Sequence, residues 1–326
     1  MSKLFSAKTP AVFLAMPVYR GGAFLQETLE SIRNQDFPDY RLLMSVDGSD
    51  EVSAAICRKY LGDSRFRVIV QPERLGWARN LNWLMAQCNC DYFCYWQQDD
   101  LCSPTYLRLL HEHATAHPEA ACSYVDLQWF GNRDERWHSP SVTGPALQRV
   151  LGEVENGYSE IMGLIRRSAL EAAGPLRINA YDSRLEDYIW AAKLAREGEL
   201  HNVPGALYFK RAHAANTHSF SPCPVEWLPG IWREYGLGLL EAALPLVSGS
   251  DRLGLLETVL ERLVVSRPGR WMCFEPSHGD ESQLTEFVSG FLGAARQLFR
   301  DPEWNLIRQM RDWTAPSAYG IAPFRQ

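Results

Sequence analysis

Over its first 130 residues the chain alternates short apolar runs with amphipathic stretches, the pattern of strands joined by crossover helices in a mostly parallel sheet. The runs Ala11–Met16, Arg41–Val46, Arg65–Val70 and Asp91–Trp96 predict four strands, and Ala121–Phe130 a further one. Between them, Phe24, Leu25, Thr28, Leu29 and Ile32 recur at helical spacing and predict a helix over Phe24–Asn34, ended before Pro38. Further helices are expected over Glu51–Leu61, from Gly76 with Ala78, Leu81, Leu84 and Met85 on one face, and over Pro104–His117 with Ser103 as its cap. The polar, Gly-, Pro- and Ser-rich stretch Gly131–Gly157 reads as a long binding loop or lid. A helix over Arg184–Gly198 and a strand over Leu200–Arg211 follow, and past Phe220 only helical periods remain. The organisation expected is thus an α/β domain over residues 1–220 and a helical region over 221–326, whose tryptophans and leucines suit packing on the first domain, shaping an acceptor site, or a homodimer.

Composition narrows the class. Hydrophobic residues at 46% and charged residues at 22% match globular proteins and argue against disorder. A net charge of −6 offers no basic footprint for nucleic acid. No apolar run reaches the roughly 18 to 20 residues that span a bilayer, and MSKLFSAKTP has too short an apolar core for a signal peptide, so a cytoplasmic protein is expected, with peripheral membrane docking opposed by Glu241, Glu257 and Glu261. The eight cysteines lack paired C-x-x-C spacing, which favours reduced, buried thiols over a cluster of Cys88, Cys90, Cys94 and Cys102.

Open parallel sheets bind ligands beyond the carboxyl ends of their strands. There the chain carries Pro17-Val18-Tyr19-Arg20, Asp47-Gly48-Ser49 and Gln97-Gln98-Asp99-Asp100. Adjacent carboxylates repel one another unless a cation or hydrogen bonds compensate them, which makes Asp99 and Asp100 a candidate metal site; a simple helix-starting turn is the alternative. Asp47 could accept from a pyrimidine base and Tyr19 stack on it, or the one could form a turn and the other fill the core. No G-x-G-x-x-G, G-x-S-x-G or lysine-bearing glycine loop supports an oxidoreductase, a serine hydrolase or a nucleotidyltransferase.

The series Pro17-Val18-Tyr19, Asp47-Gly48-Ser49, Gly76 to Asn80 and Gln98-Asp99-Asp100, with Arg166–Gly174 and Leu185–Gly198 beyond it, resembles the inverting family 2 glycosyltransferases over roughly Phe13 to Ser219. The resemblance implies the GT-A fold, a nucleotide diphosphate sugar as donor, a carbohydrate or glycoconjugate as acceptor, and one Mn²⁺ or Mg²⁺. It implies that Pro17, Tyr19, Asp47, Arg79 and Gln98 line the nucleotide site, that Asp99 and His213, with His218 as second choice, meet the metal or diphosphate, and that Asp187 is the general base. Glu186 and Asp187 could instead only stabilise a helix start. Gln97 stands where the family has the first Asp of its Asp-x-Asp motif, which removes one carboxylate from the metal site and keeps a non-catalytic sugar-nucleotide-binding protein as the alternative. A UDP-sugar and bacterial glycan synthesis are the expected donor and setting.

Overall fold

A computed structural model describes residues 9–156, 159–213, 223–264 and 281–310. Nine strands form one sheet: β1 (Val12–Val18), β2 (Tyr40–Val46), β3 (Phe66–Val70), β4 (Tyr92–Tyr95), β5 (Leu101–Cys102), β6 (Ala120–Gly131), β7 (Glu135–Trp137), β8 (Leu164–Arg166) and β9 (Glu199–Ala212). Their order is β3-β2-β1-β4-β8-β6-β9-β5, with β7 beside β6. The ladders run parallel from β3 to β4 and between β6 and β9, while β8, β7 and β5 run antiparallel to their neighbours. Six of the nine strands therefore point the same way, and the ends of β1, β2 and β4 open onto one edge.

The helices follow the sequence periods closely. Helix α1 (Phe24–Arg33) buries Leu25, Thr28, Leu29 and Ile32, the face expected from their spacing. Helix α2 (Glu51–Arg58) starts at Asp50, whose carboxylate accepts from the Ser53 N–H at 3.1 Å. Helix α3 (Trp77–Met85) follows Gly76, and α4 is Tyr106–Ala116. Ser103 does not cap α4 through its side chain: its Oγ instead accepts from the Leu207 N–H of β9 at 3.2 Å.

The stretch expected as a long loop carries secondary structure. It contains β7 and helix α5 (Ala146–Asn156), and α5 packs with Val150 fully buried. Its composition is polar, yet Leu147, Val150 and Leu151 recur at helical spacing and pack on the C-terminal helices. Helices α6 (Arg167–Ala173) and α7 (Glu186–Glu197) precede β9, and α8 (Leu228–Ala243), α9 (Asp251–Val264), α10 (Glu281–Ala295) and α11 (Asp301–Met310) complete the chain described. The expected boundary near Phe220, and His218, lie outside the described residues.

Two apolar clusters hold the molecule. The first fills the space between the sheet and helices α1 to α4. The second unites α8, α9 and α10 with Leu185, Tyr188, Ile189 and Ala192 of the α7 segment. Trp190, Ala191, Leu194 and Ala195 of the same helix belong to the first cluster, so α7 joins the two. The described cysteines are free, and no described helix is long and apolar enough to cross a membrane.

The α7–α8 joint is close. A Cβ at Gly238 would stand 2.5 to 2.8 Å from three carbons of Ile189. Gly238→Ala is expected to lower stability by about 1 to 3 kcal/mol through overpacking, measurable as a fall in Tm; an unchanged Tm would mean that the joint is loose.

Candidate active site

The site begins where β1 ends. Gln98, just beyond β4, turns its amide onto the main chain of Tyr19: Oε1 accepts from the Tyr19 N–H at 2.9 Å and Nε2 donates to the Tyr19 carbonyl at 2.8 Å. Both faces of a primary amide are engaged, so Gln98 acts as a brace between two strand ends. Pro17 lies within β1, paired with Ser45 of β2. The Arg20 N–H donates to Asp50 at 2.6 Å, and the Gly21 N–H donates to Ser53 at 3.0 Å, which fixes the turn after Tyr19. The Tyr19 ring is half-buried, with the Arg74 guanidinium 4.3 Å from its centre and that of Arg20 at 5.1 Å.

Asp47 is buried and accepts from the N–H groups of Leu75 and Gly76 at 2.6 and 2.9 Å. Gly76 has φ of +81°, a conformation that a side chain would resist, and this aims its N–H at Asp47. Asn80 is buried, bonded to the Ser45 hydroxyl and carbonyl at 2.6 and 2.9 Å, whereas Arg79 is exposed on α3. Within the Trp77-Ala78-Arg79-Asn80 run, Asn80 therefore anchors the helix and Arg79 faces outward.

The two adjacent aspartates have different surroundings. Asp100 is fully buried and accepts from the Tyr208 hydroxyl at 2.9 Å, the Arg211 N–H at 2.8 Å and Lys210 Nζ at 3.2 Å. Burial pushes its pKa up and the Lys210 ammonium opposes that shift. Asp100 thus belongs to the core of the site, which corrects its reading as half of a metal pair. Asp99 keeps a side-chain exposure of 20%, and its Oδ2 lies 3.0 Å from His213 Nε2. The His213 ring packs on Phe24 at 4.8 Å. Arg211 donates to the Asp99 carbonyl at 2.9 Å and to Glu27 at 2.7 Å.

Gln97 accepts from Lys210 Nζ at 2.5 Å. The same ammonium lowers the pKa of Asp187, which brings the first turn of α7 into the electrostatic reach of the loop after β4. Asp187 is partly buried, and crowding by protein raises its pKa to about 6, with the N–H groups of Asp187 and Tyr188 and the Lys210 charge acting in the opposite direction. Its neighbour Glu186 is buried; Asn179 donates to its Oε1 at 2.9 Å and its Oε2 has no partner among the described residues, so burial raises that pKa as well. Asp182, Ser183 and Leu185 have φ of 54°, 54° and 61°. This left-handed stretch costs backbone energy, and Trp77 Nε1 holds it by donating to the Asp182 carbonyl at 2.8 Å.

Tyr19, Gln98, Asp99, His213 and Asp187 are thereby gathered on one edge of the sheet, with Asp47 at the adjoining end of β2. Arg74 and Lys210 had no place among the expected site residues. In the sequence Lys210 stands out only as a charge within the strand Leu200–Arg211, and Arg74 only as an unpatterned charge.

Comparison with known proteins bears on the family and the fold. A family model described as glycosyl transferase family 2 matches residues 13–174. An uncharacterized glycosyltransferase of Haemophilus influenzae is 23% identical over 226 residues, 64% of this chain and 68% of the relative. In fold the chain is similar to S. aureus TarS 1–349 in complex with UDP-GlcNAc, with a TM-score of 0.65 at 16% identity over 87% of this chain and 81% of that one. It is also similar to a mannosyltransferase of Pyrobaculum calidifontis in complex with GDP-Man and Mn²⁺, with a TM-score of 0.52 at 13% identity over 96% and 84% of the two chains.

The raised pKa of Asp187 has a cost that can be measured. A carboxyl at 3.8 when unfolded and about 6 when folded binds more protons in the native state between those values, so stability falls as pH rises through that window. Asp187→Asn removes the charge and is expected to raise stability at pH 8 by up to about 3 kcal/mol and to leave it near wild type at pH 4. Equal denaturation midpoints at pH 8 would contradict the shift.

Proposed function

Through residues 13–174 this chain belongs to glycosyl transferase family 2 and is a glycosyltransferase, and from that premise we propose that it transfers a sugar from a UDP-sugar to an acceptor hydroxyl with inversion, using Asp187 as base. The observation that carries the assignment is the reach of Lys210, which touches Gln97 and Asp100 and whose charge acts on Asp187. The base is thereby tied to the loop that presents Asp99.

In this reading the pyrimidine lies against Tyr19 in place of Arg74, beside Asp47, whose carboxylate oxygens keep acceptor capacity beyond the two N–H groups they already bind. Exposed Arg74 and Arg79 are within the segment that would meet the phosphates. The bound UDP-GlcNAc of TarS supports the uridine preference. An Asp99 carboxylate beside a His213 imidazole, both partly exposed, suits Mn²⁺ or Mg²⁺, ions that commonly take one or two protein ligands and complete their shells with water and substrate phosphates. Such an ion, when bound, neutralises charge developing on the leaving diphosphate. The manganese of the mannosyltransferase supports the choice of metal.

The acceptor oxygen attacks the anomeric carbon from the face opposite the diphosphate, the bond from that carbon to the diphosphate oxygen breaks, and Asp187 takes the acceptor proton. Of the two residues at the α7 start, Asp187 is the one that keeps partial exposure, while Glu186 is enclosed and bonded to Asn179. With a pKa of about 6, Asp187 is ionised at neutral pH and still basic enough to accept a proton. A role in glycan or glycoconjugate synthesis, with the helical region 221–326 shaping the acceptor site, follows from the same reading.

Asp187→Asn is expected to reduce transfer by about 10²- to 10⁴-fold with UDP-sugar binding unchanged by calorimetry; parallel loss of both would remove its base role. In the wild type kcat/KM should fall about tenfold per pH unit below pH 6, and a profile flat to pH 5 would argue for another base. Asp99→Asn should weaken donor binding in Mn²⁺ and leave metal-free binding as it was. Tight binding with neither transfer nor hydrolysis would favour the non-catalytic alternative, and a guanosine preference in a thermal-shift panel would count against the Asp47 assignment.

A further inference from the structure

Three histidines meet at the end of β9 remote from His213. His113 lies in the last turn of α4, His117 is the residue that follows the helix as its C-cap, and His201 is near the start of β9. Their rings lie 4.2 to 5.5 Å apart between centres. One ring nitrogen of each lies within 4.8 Å of those of the other two.

One nitrogen of each ring already has a hydrogen-bond partner. His113 Nδ1 is 3.0 Å from the Ser123 hydroxyl, His117 Nδ1 is 2.9 Å from Glu119, and His201 Nε2 is 2.8 Å from Glu199. An imidazole that donates one N–H to a carboxylate or hydroxyl presents a lone pair on its other nitrogen, the arrangement by which outer groups orient metal-ligating histidines. Here all three rings have such a partner. The backbone is held too: Arg166 donates to the Ala114 and His117 carbonyls at 2.7 and 3.1 Å and so fixes the end of α4. The carboxylates of Glu119 and Glu199 beside the rings carry together the charge that a divalent cation balances.

We propose that His113, His117 and His201 bind one Zn²⁺, with water in the fourth position, and that the ion clamps the end of α4 to the start of β9. A donor set of imidazoles alone suits zinc and other late first-row metals, whereas Mg²⁺ and Mn²⁺ favour the carboxylate oxygen that Asp99 supplies. The site is therefore distinct in chemistry as well as in place from the Asp99–His213 pair. Tetrahedral Zn–N bonds of about 2.0 to 2.1 Å separate ligand nitrogens by about 3.4 Å. The rings are only partly buried, and nitrogens within 4.8 Å of one another would have to draw together by up to about 1.4 Å to reach that separation.

The test uses the full chain without a histidine tag, stripped with chelator and titrated with ZnCl₂ by calorimetry. One ion per chain is expected, with a higher Tm, and Co²⁺ in its place should give the visible absorption of a tetrahedral site. His117→Gln and His201→Gln should each abolish the cobalt band while leaving the metal-free Tm near wild type, and Glu199→Gln should weaken zinc affinity by about 10- to 100-fold. His213→Ala should bind zinc as the wild type does. Absence of stoichiometric zinc, zinc binding unaffected by either glutamine substitution, or loss of binding in His213→Ala would overturn the proposal.

Discussion

The buried ammonium of Lys210 is the interaction on which the rest of the site depends. A lone charge in the interior is costly unless it is paired and hydrogen-bonded. Lys210 meets that demand with Asp100 and Gln97, and so a residue of β9 fixes the loop that leaves β4. Asp100 reinforces the junction by accepting from Tyr208 and from the Arg211 N–H. Asp99 is then left at the surface of this knot with His213 beside it.

The same arrangement accounts for the amide at position 97. Asp99, Asp100 and Asp187 already bring three carboxyls into the neighbourhood of a single ammonium. Another carboxylate at 97 would pair more strongly with Lys210 and would also raise the pKa of its acidic neighbours through repulsion. Glutamine satisfies the ammonium without adding charge, and its Nε2 turns to the Met162 sulfur at 3.5 Å.

Much of this was legible in the chain because strands β1 to β4 and helices α1 to α4 announce themselves by period, and the chemistry lies just after each strand. What escaped had physical reasons. Polar composition masked the Leu147, Val150 and Leu151 stripe of α5, and strands as short as Leu101–Cys102 have no period to detect. Asp99 and Asp100 are indistinguishable in sequence, and only the partner strand decides which one is enclosed. Asp47, read as a base acceptor or as part of a local turn, also accepts from the N–H groups of Leu75 and Gly76, 28 and 29 positions away, a contact that no local pattern shows. The histidine cluster was half visible, as two histidines four positions apart at the end of α4, while His201 enters from 84 residues beyond His117 in the chain.

Helix α7 presents one flank to the sheet core and the other to α8, α9 and α10. Its first turn is thus located by two independent bodies of packing, in the manner of a keystone. Relatives that keep the sheet and exchange the trailing helices would tilt this one element and re-aim the carboxyl at its tip. A change in the trailing helices would in that way move Asp187 while leaving Tyr19, Asp47 and Gln98 where the sheet holds them.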